Sequence, residues 1–250
     1  MVLLVACCGA CRVDVAVKVA MDAQGAGTVT VTIVADKELL DRAPGIASDL
    51  RTEDVQAAGW KLAGPTATPE GGLELELTQS FTSPAQANAI LAELNGPNGP
   101  FVGITLGRSK VGDTTSYTLN GLLQVTGGFE AFSDADLTAA VGATPYAAQV
   151  AQAGMQPADV VGVTFTATLP GRVNTTTATG GNGLHWTVPL DGTPVDVGTL
   201  SEHTVARNTW AKPVAKSAQV ALWTWVAVAV CFIVYVIVVR RRRRRPRAWR

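Results

Sequence analysis

The sequence predicts an α+β fold, a largely antiparallel sheet with two or three packed helices, plus one C-terminal transmembrane helix. Three observations predict it. Runs such as Val13-Asp14-Val15-Ala16-Val17-Lys18-Val19 alternate with the period of two that a half-buried strand requires. Between such runs lie helix signals, clearest at Ser83-Pro84-Ala85-Gln86. Residues 218–239 carry no charged side chain at all. These features divide the chain into a short leader (1–11), an extracytoplasmic domain (12–200), a tether (201–217), a spanning helix (218–239) and an Arg-rich tail (240–250).

Along the domain each element has a local reason. Val13, Val15, Val17 and Val19 point one way, and after the turn at 22–27 Val29, Val31 and Ile33 alternate with Thr28, Thr30 and Thr32. This is a hairpin with one buried and one wet face, and a one-residue slip would bury the threonines. Residues 36–58 read as helical, with a break at Pro44-Gly45, and Trp60 opens a short strand. In 71–81, Leu73, Leu75 and Leu77 face inward and Glu74 and Glu76 outward. Ser83 caps the next helix, Pro84 suits its first turn, and Gln86 closes a capping box. That helix stops at Asn95-Gly96-Pro97. Strands follow near 101–107 and 115–126 around a turn at Gly112-Asp113, then a second helical region at 134–153, interrupted by Pro145. Residues 161–190 are Thr- and Gly-rich and strand-like.

The end of the chain carries the topology signal. Twenty-two helical residues rise about 33 Å, enough for the ~30 Å hydrocarbon core. Trp223 and Trp225 suit the headgroup layer, and Arg240, Arg241 and Arg242 open a run of six arginines that the positive-inside rule places in the cytoplasm. The expected location is therefore the cell membrane, single-pass, with the main domain outside. At the other end, Leu4-Val5-Ala6-Cys7 reads as a lipobox, whose cysteine would be acylated, at the end of a leader cut short at its start. Residues 1–217 hold 12 basic and 20 acidic groups, a net charge of −8 that argues against nucleic acid as a partner.

Several of these segments together resemble a known family. They are Cys11-Arg12-Val13-Asp14-Val15, the Gly27-Thr28-Val29-Thr30-Val31 hairpin partner and the Phe81-Thr82-Ser83-Pro84 helix start. Leu169-Pro170-Gly171-Arg172-Val173, the Trp186-Thr187 pair, and the closing apolar and basic segments complete the set. Over residues 11–245 the chain resembles the LppM-type lipoproteins of mycobacteria and other actinobacteria. The resemblance implies a lipid-anchored envelope domain that binds envelope glycolipid, and supplies no catalytic residues. It places the acylated cysteine at Cys11, where lipobox chemistry prefers Cys7.

No constellation points to catalysis or a cofactor. The two histidines, His185 and His203, lack metal-ligand spacing, and no nucleophile elbow, phosphate loop or dinucleotide fingerprint occurs. His185 reads as an ordinary sheet residue, Glu74 and Glu76 as a solvated face, and Asp134 and Asp136 as acids before a helix. The expected protein is non-catalytic and binds a lipid or glycolipid. Trp60, Phe101 and Trp186, with Phe129 and Phe132, either line an apolar groove between sheet and helices or are plain core, which is the commoner use of such residues. Asn174 and Thr175–Thr177 would meet glycan hydroxyls or decorate a wet strand. The alternative is an interaction module contacting other envelope proteins.

Overall fold

The computed structural model describes residues 12–42, 53–95, 99–126, 156–179, 183–205, 222–226, 229–230 and 233. The alternating start of the chain forms β1 (Val13–Met21) and β2 (Gly27–Ala35), paired in continuous register from Val13–Ala35 to Met21–Gly27. Asp22 makes the turn: its carboxylate accepts from the backbone N–H groups of Gln24 at 2.8 Å and Ala26 at 2.9 Å. Gly27 has to be glycine, because a Cβ there would sit 1.9 Å from the Ala20 carbonyl oxygen. Two short helices, α1 (Lys37–Arg42) and α2 (Glu53–Ala57), precede β3 (Lys61–Ala67) and β4 (Leu73–Phe81).

Helix α3 (Pro84–Glu93) begins as the sequence predicts, with the Ser83 hydroxyl accepting from the Gln86 N–H at 3.3 Å. The return bond differs by one position. Gln86 Oε1 accepts from the Thr82 N–H at 2.9 Å and the Thr82 hydroxyl at 3.1 Å, rather than from Ser83. β5 (Phe101–Val111) and β6 (Thr114–Leu123) then form a hairpin whose two-residue loop starts at Gly112, in the left-handed region at φ 61°. The turn of α4 (Pro157–Val160) leads into β7 (Val161–Thr168), followed by β8 (Arg172–Thr176), β9 (Leu184–Thr187) and β10 (Val195–Thr204).

These strands form two sheets. One has six strands in the order β3-β4-β2-β1-β7-β9, and the other four in the order β5-β6-β10-β8. β1 and β7 run parallel, and the remaining pairs are antiparallel. One hydrophobic core joins both sheets to α3, drawing Val17, Val19, Val29 and Phe165 from the larger sheet and Phe101, Leu106, Tyr117 and Leu119 from the smaller. Each fully buried apolar side chain of this kind contributes roughly 1.5–3 kcal/mol.

Two features of the predicted fold class are corrected. The described chain is mostly β and two-sheeted rather than α+β around one sheet. The strands that form the core each turn one apolar face inward, and burying those faces in a common core joins both sheets with little help from helices. Of the helix expected over 36–58, the described residues form α1 and α2, and residues 43–52 lie outside the described set. The helical region expected at 134–153 lies wholly outside it.

The second correction concerns the spanning helix. Among the described residues no helix is long and apolar enough to cross a membrane. Crossing as a helix takes about 20 continuous residues, and within 218–239 the described residues are 222–226, 229–230 and 233. The chain divides into units Met1–Thr204 and Val205–Arg250. Residues 201–204, assigned to the tether by the sequence, are the last four residues of strand β10 in the first unit.

Candidate functional site

The three aromatic residues expected to line a groove are core residues. Trp60 (7% exposed) closes the end of α2, its N–H bonded to the Val55 carbonyl at 3.1 Å. Phe101 (4%) and Trp186 (1%) pack against the same ring, Phe165, with centroids 5.5 Å and 5.8 Å from it. Phe165, itself fully buried, is the residue that joins them, and sequence reading passed over it. The Trp186 indole N–H donates to Thr177 Oγ1 at 3.2 Å, so its polar edge is satisfied inside the fold.

Of the groups expected to face a ligand on the 174–177 stretch, Asn174, Thr176 and Thr177 are engaged within the fold. Thr177 Oγ1 accepts from Trp186 and from the Gly198 N–H at 2.9 Å, and donates to the Asp196 carbonyl at 2.7 Å. One hydroxyl offers one donor and two acceptor sites, so this one is fully used. Thr176 pairs with the buried Thr199 at 2.9 Å, and Asn174 donates to the Glu202 carboxylate at 2.7 Å. Trp223 and Trp225 are exposed, at 68% and 77%, on the helical residues 222–226. Cys7, Cys11, Phe129, Phe132, Asp134, Asp136, Arg240, Arg241 and Arg242 lie outside the described residues. Among the described residues no group of three His, Cys, Asp or Glu side chains is placed to hold a metal ion.

What the fold does assemble is a polar surface on the outer face of the six-stranded sheet. β1 turns Ala16, Lys18 and Ala20 outward, between β2 and β7. The registers set Thr32, Thr30 and Thr28 of β2 opposite these three residues on one side. Thr164, Thr166 and Thr168 of β7 stand opposite the same three on the other. Two rows of threonines thus wall a shallow trough floored by small alanines, with one ammonium at its centre. At ~4.8 Å between strands and ~3.3 Å per residue, the trough is about 10 Å wide and about 13 Å long.

Neighbouring groups continue this chemistry. Thr30 Oγ1 lies 3.5 Å from Thr78 Oγ1 of β4, and Thr166 Oγ1 lies 3.4 Å from His185 Nδ1 of β9. At one end of the trough Asp14 is held by Arg12 through an ion pair at 2.8 Å. The hydrogen bond to Asp14 raises the Arg12 guanidinium above its ordinary pKa. Glu74 and Glu76 face the same side but on β4, beyond β2.

No family model matches the chain, and no curated protein matches it. Among solved structures it is similar to the NMR structure of the folded domain of LppM from Mycobacterium tuberculosis. The identity is 11% and the TM-score 0.42, over 79% of this chain and 94% of that one.

The trough has a sequence signature that went unused. Thr-x-Thr-x-Thr occurs at 28–32 and 164–168, and a third time at 175–179, outside the six-stranded sheet. Each run alone reads as the wet face of a strand. Only the β2-β1-β7 order, which brings residues about 130 positions apart to either side of Lys18, makes the first two one surface.

Proposed function

We propose that this protein is a non-catalytic binding module of the cell envelope that holds the hydroxyl-rich part of a lipid or glycolipid. The threonine-walled trough along β1 carries this reading. Six hydroxyls, each both donor and acceptor, flank one exposed ammonium, a pattern suited to a polyhydroxylated surface. The apolar interior beneath is occupied by the protein's own side chains, with Trp60, Phe101 and Trp186 buried there. This favours contact with a ligand's polar portion over enclosure of its acyl chains.

The test is flotation of the full chain with vesicles that contain or lack extracted envelope glycolipid. Binding is expected only to the glycolipid vesicles. Thr30→Val with Thr166→Val, a shape-conserving pair on an outward face, is expected to weaken it about thirtyfold, from two lost hydrogen bonds of ~1 kcal/mol each. Stability should move by no more than ~0.5 kcal/mol per substitution. Equal binding by the double variant, or none by the native chain, would remove the trough from consideration.

A further inference from the structure

We infer that the ligand's glycan is acidic and linear, with a carboxylate seated over Lys18. This rests on the trough being the binding site. Lys18 is exposed at its centre, and the ion pairs among the described residues, Arg12–Asp14 and Lys37–Asp41, leave it out. Its registered neighbours are the hydroxyls of Thr30 and Thr166, with His185 next beyond Thr166.

The acids on this face stand aside from it. Asp14 is neutralised by Arg12, Glu74 lies on β4 two strands away, and the Glu76 carboxylate accepts from the Thr78 hydroxyl at 3.4 Å, with Thr30 between that pair and Lys18. An anion over Lys18 therefore meets one uncompensated positive charge and a ring of hydroxyl donors.

The shape selects among anions. β1 is paired on both sides, so its backbone N–H groups serve the ladders and none forms a cradle for a tetrahedral phosphate. A planar carboxylate lies flat on a shallow floor of alanines, accepting from Lys18 and from the threonines at either side. The described residues of this outer face include no Phe, Tyr or Trp ring on which a neutral sugar would stack. Recognition is left to charge and hydroxyls. Because the trough runs along a straight strand between two parallel walls, a linear chain fits it better than a branched one.

Calorimetry on the full chain tests this with three probes: a linear oligogalacturonide, its carboxyl-reduced counterpart, and vesicles of phosphatidylinositol. The acidic oligomer should bind, with affinity falling as salt rises. The reduced oligomer should bind at least about tenfold more weakly, as should the acidic one to Lys18→Gln, as expected for loss of one charge-assisted contact. Lys61→Gln, which removes the same charge from β3 of the same sheet, should stay within about twofold of the native chain. Equal binding of acidic and neutral oligomers, indifferent to Lys18→Gln, would overturn the carboxylate and leave the trough standing. Lys18-dependent binding of the phosphatidylinositol vesicles alone would also overturn it, in favour of a phosphodiester. Failure of all three probes together with the glycolipid vesicles would overturn both readings.

Discussion

The two sheets hold their strands in place by different means. In the six-stranded sheet β1, β2, β4 and β7 pair without a register shift, and their inner positions are almost entirely apolar. Hydrophobic alternation fixes the register there, because a slip would exchange the valine face for the threonine face. The four-stranded sheet is irregular, with shifts between Val102 and Thr105 in β5 and between Leu200 and Ser201 in β10. Its inner face contains the buried hydroxyls Thr115, Thr199 and Ser201. Here specific hydrogen bonds do the fixing: Ser201 donates to the Pro170 carbonyl at 2.7 Å, and Thr177 joins β9 to β10.

Its edge is closed in the same way. Asn88 of α3 donates to the Leu106 carbonyl at 3.1 Å and accepts from the Leu106 N–H at 2.7 Å, and Asn95 accepts from the Phe101 N–H at 2.7 Å. Two side chains thus take the place of a neighbouring strand along β5, which protects an edge from pairing with another chain. The lesson is that one sheet is specified by a pattern and the other by individual atoms.

The largest effect is expected where the sheets meet. Trp186→Ala should cost about 3–5 kcal/mol in denaturant unfolding, as truncation of a fully buried aromatic does. A loss below ~1 kcal/mol would mean that the two sheets do not share a tightly packed core. Next come the specific bonds of the smaller sheet. Asn88→Ala and Thr177→Val should each cost about 1–3 kcal/mol, while Thr177→Ser, which keeps the hydroxyl, should cost distinctly less. Asn88→Ala should also raise self-association in light scattering, since it uncovers the β5 edge. Stability and solubility equal to the native chain would show that this sheet, too, is held by its apolar pattern alone.

The smallest effect concerns pH. The backbone N–H of Thr193, at 2.9 Å, and then its hydroxyl hold the Asp191 carboxyl below its ordinary pKa. A carboxyl depressed in the folded state stabilises above its unfolded value of about 3.9, and that contribution is lost as pH falls through the folded value. Asp191→Ala should therefore be slightly less stable than the native chain at neutral pH, with the gap closing in unfolding measured at progressively lower pH. A gap that stays constant down to strongly acidic conditions would assign the effect to something other than ionisation.

Legibility followed local signals in both sheets. The β1–β2 hairpin, β4, the start of α3 and the β5–β6 hairpin were all readable, because each carries a local signal of alternation, capping or turn chemistry. β10 was not. Its inward positions Val197, Thr199 and Ser201 become polar halfway along, so the alternation dissolves into what reads as a tether. The candidate site was half visible. Its threonines stand in two clear runs, yet sequence reading turned to the aromatics, which the fold uses as core.

By itself the sequence determined which strands have one apolar and one hydroxyl face, where the first turns fall, and where α3 begins. Those are short-range matters of side-chain period and backbone preference. Only the tertiary structure decided that the strands divide into two sheets, that Phe165 gathers Phe101 and Trp186, and that β7 lies parallel beside β1. Pairing between strands about 150 residues apart depends on how all the apolar faces are buried together, and no local segment encodes it. The trough around Lys18 exists through that pairing.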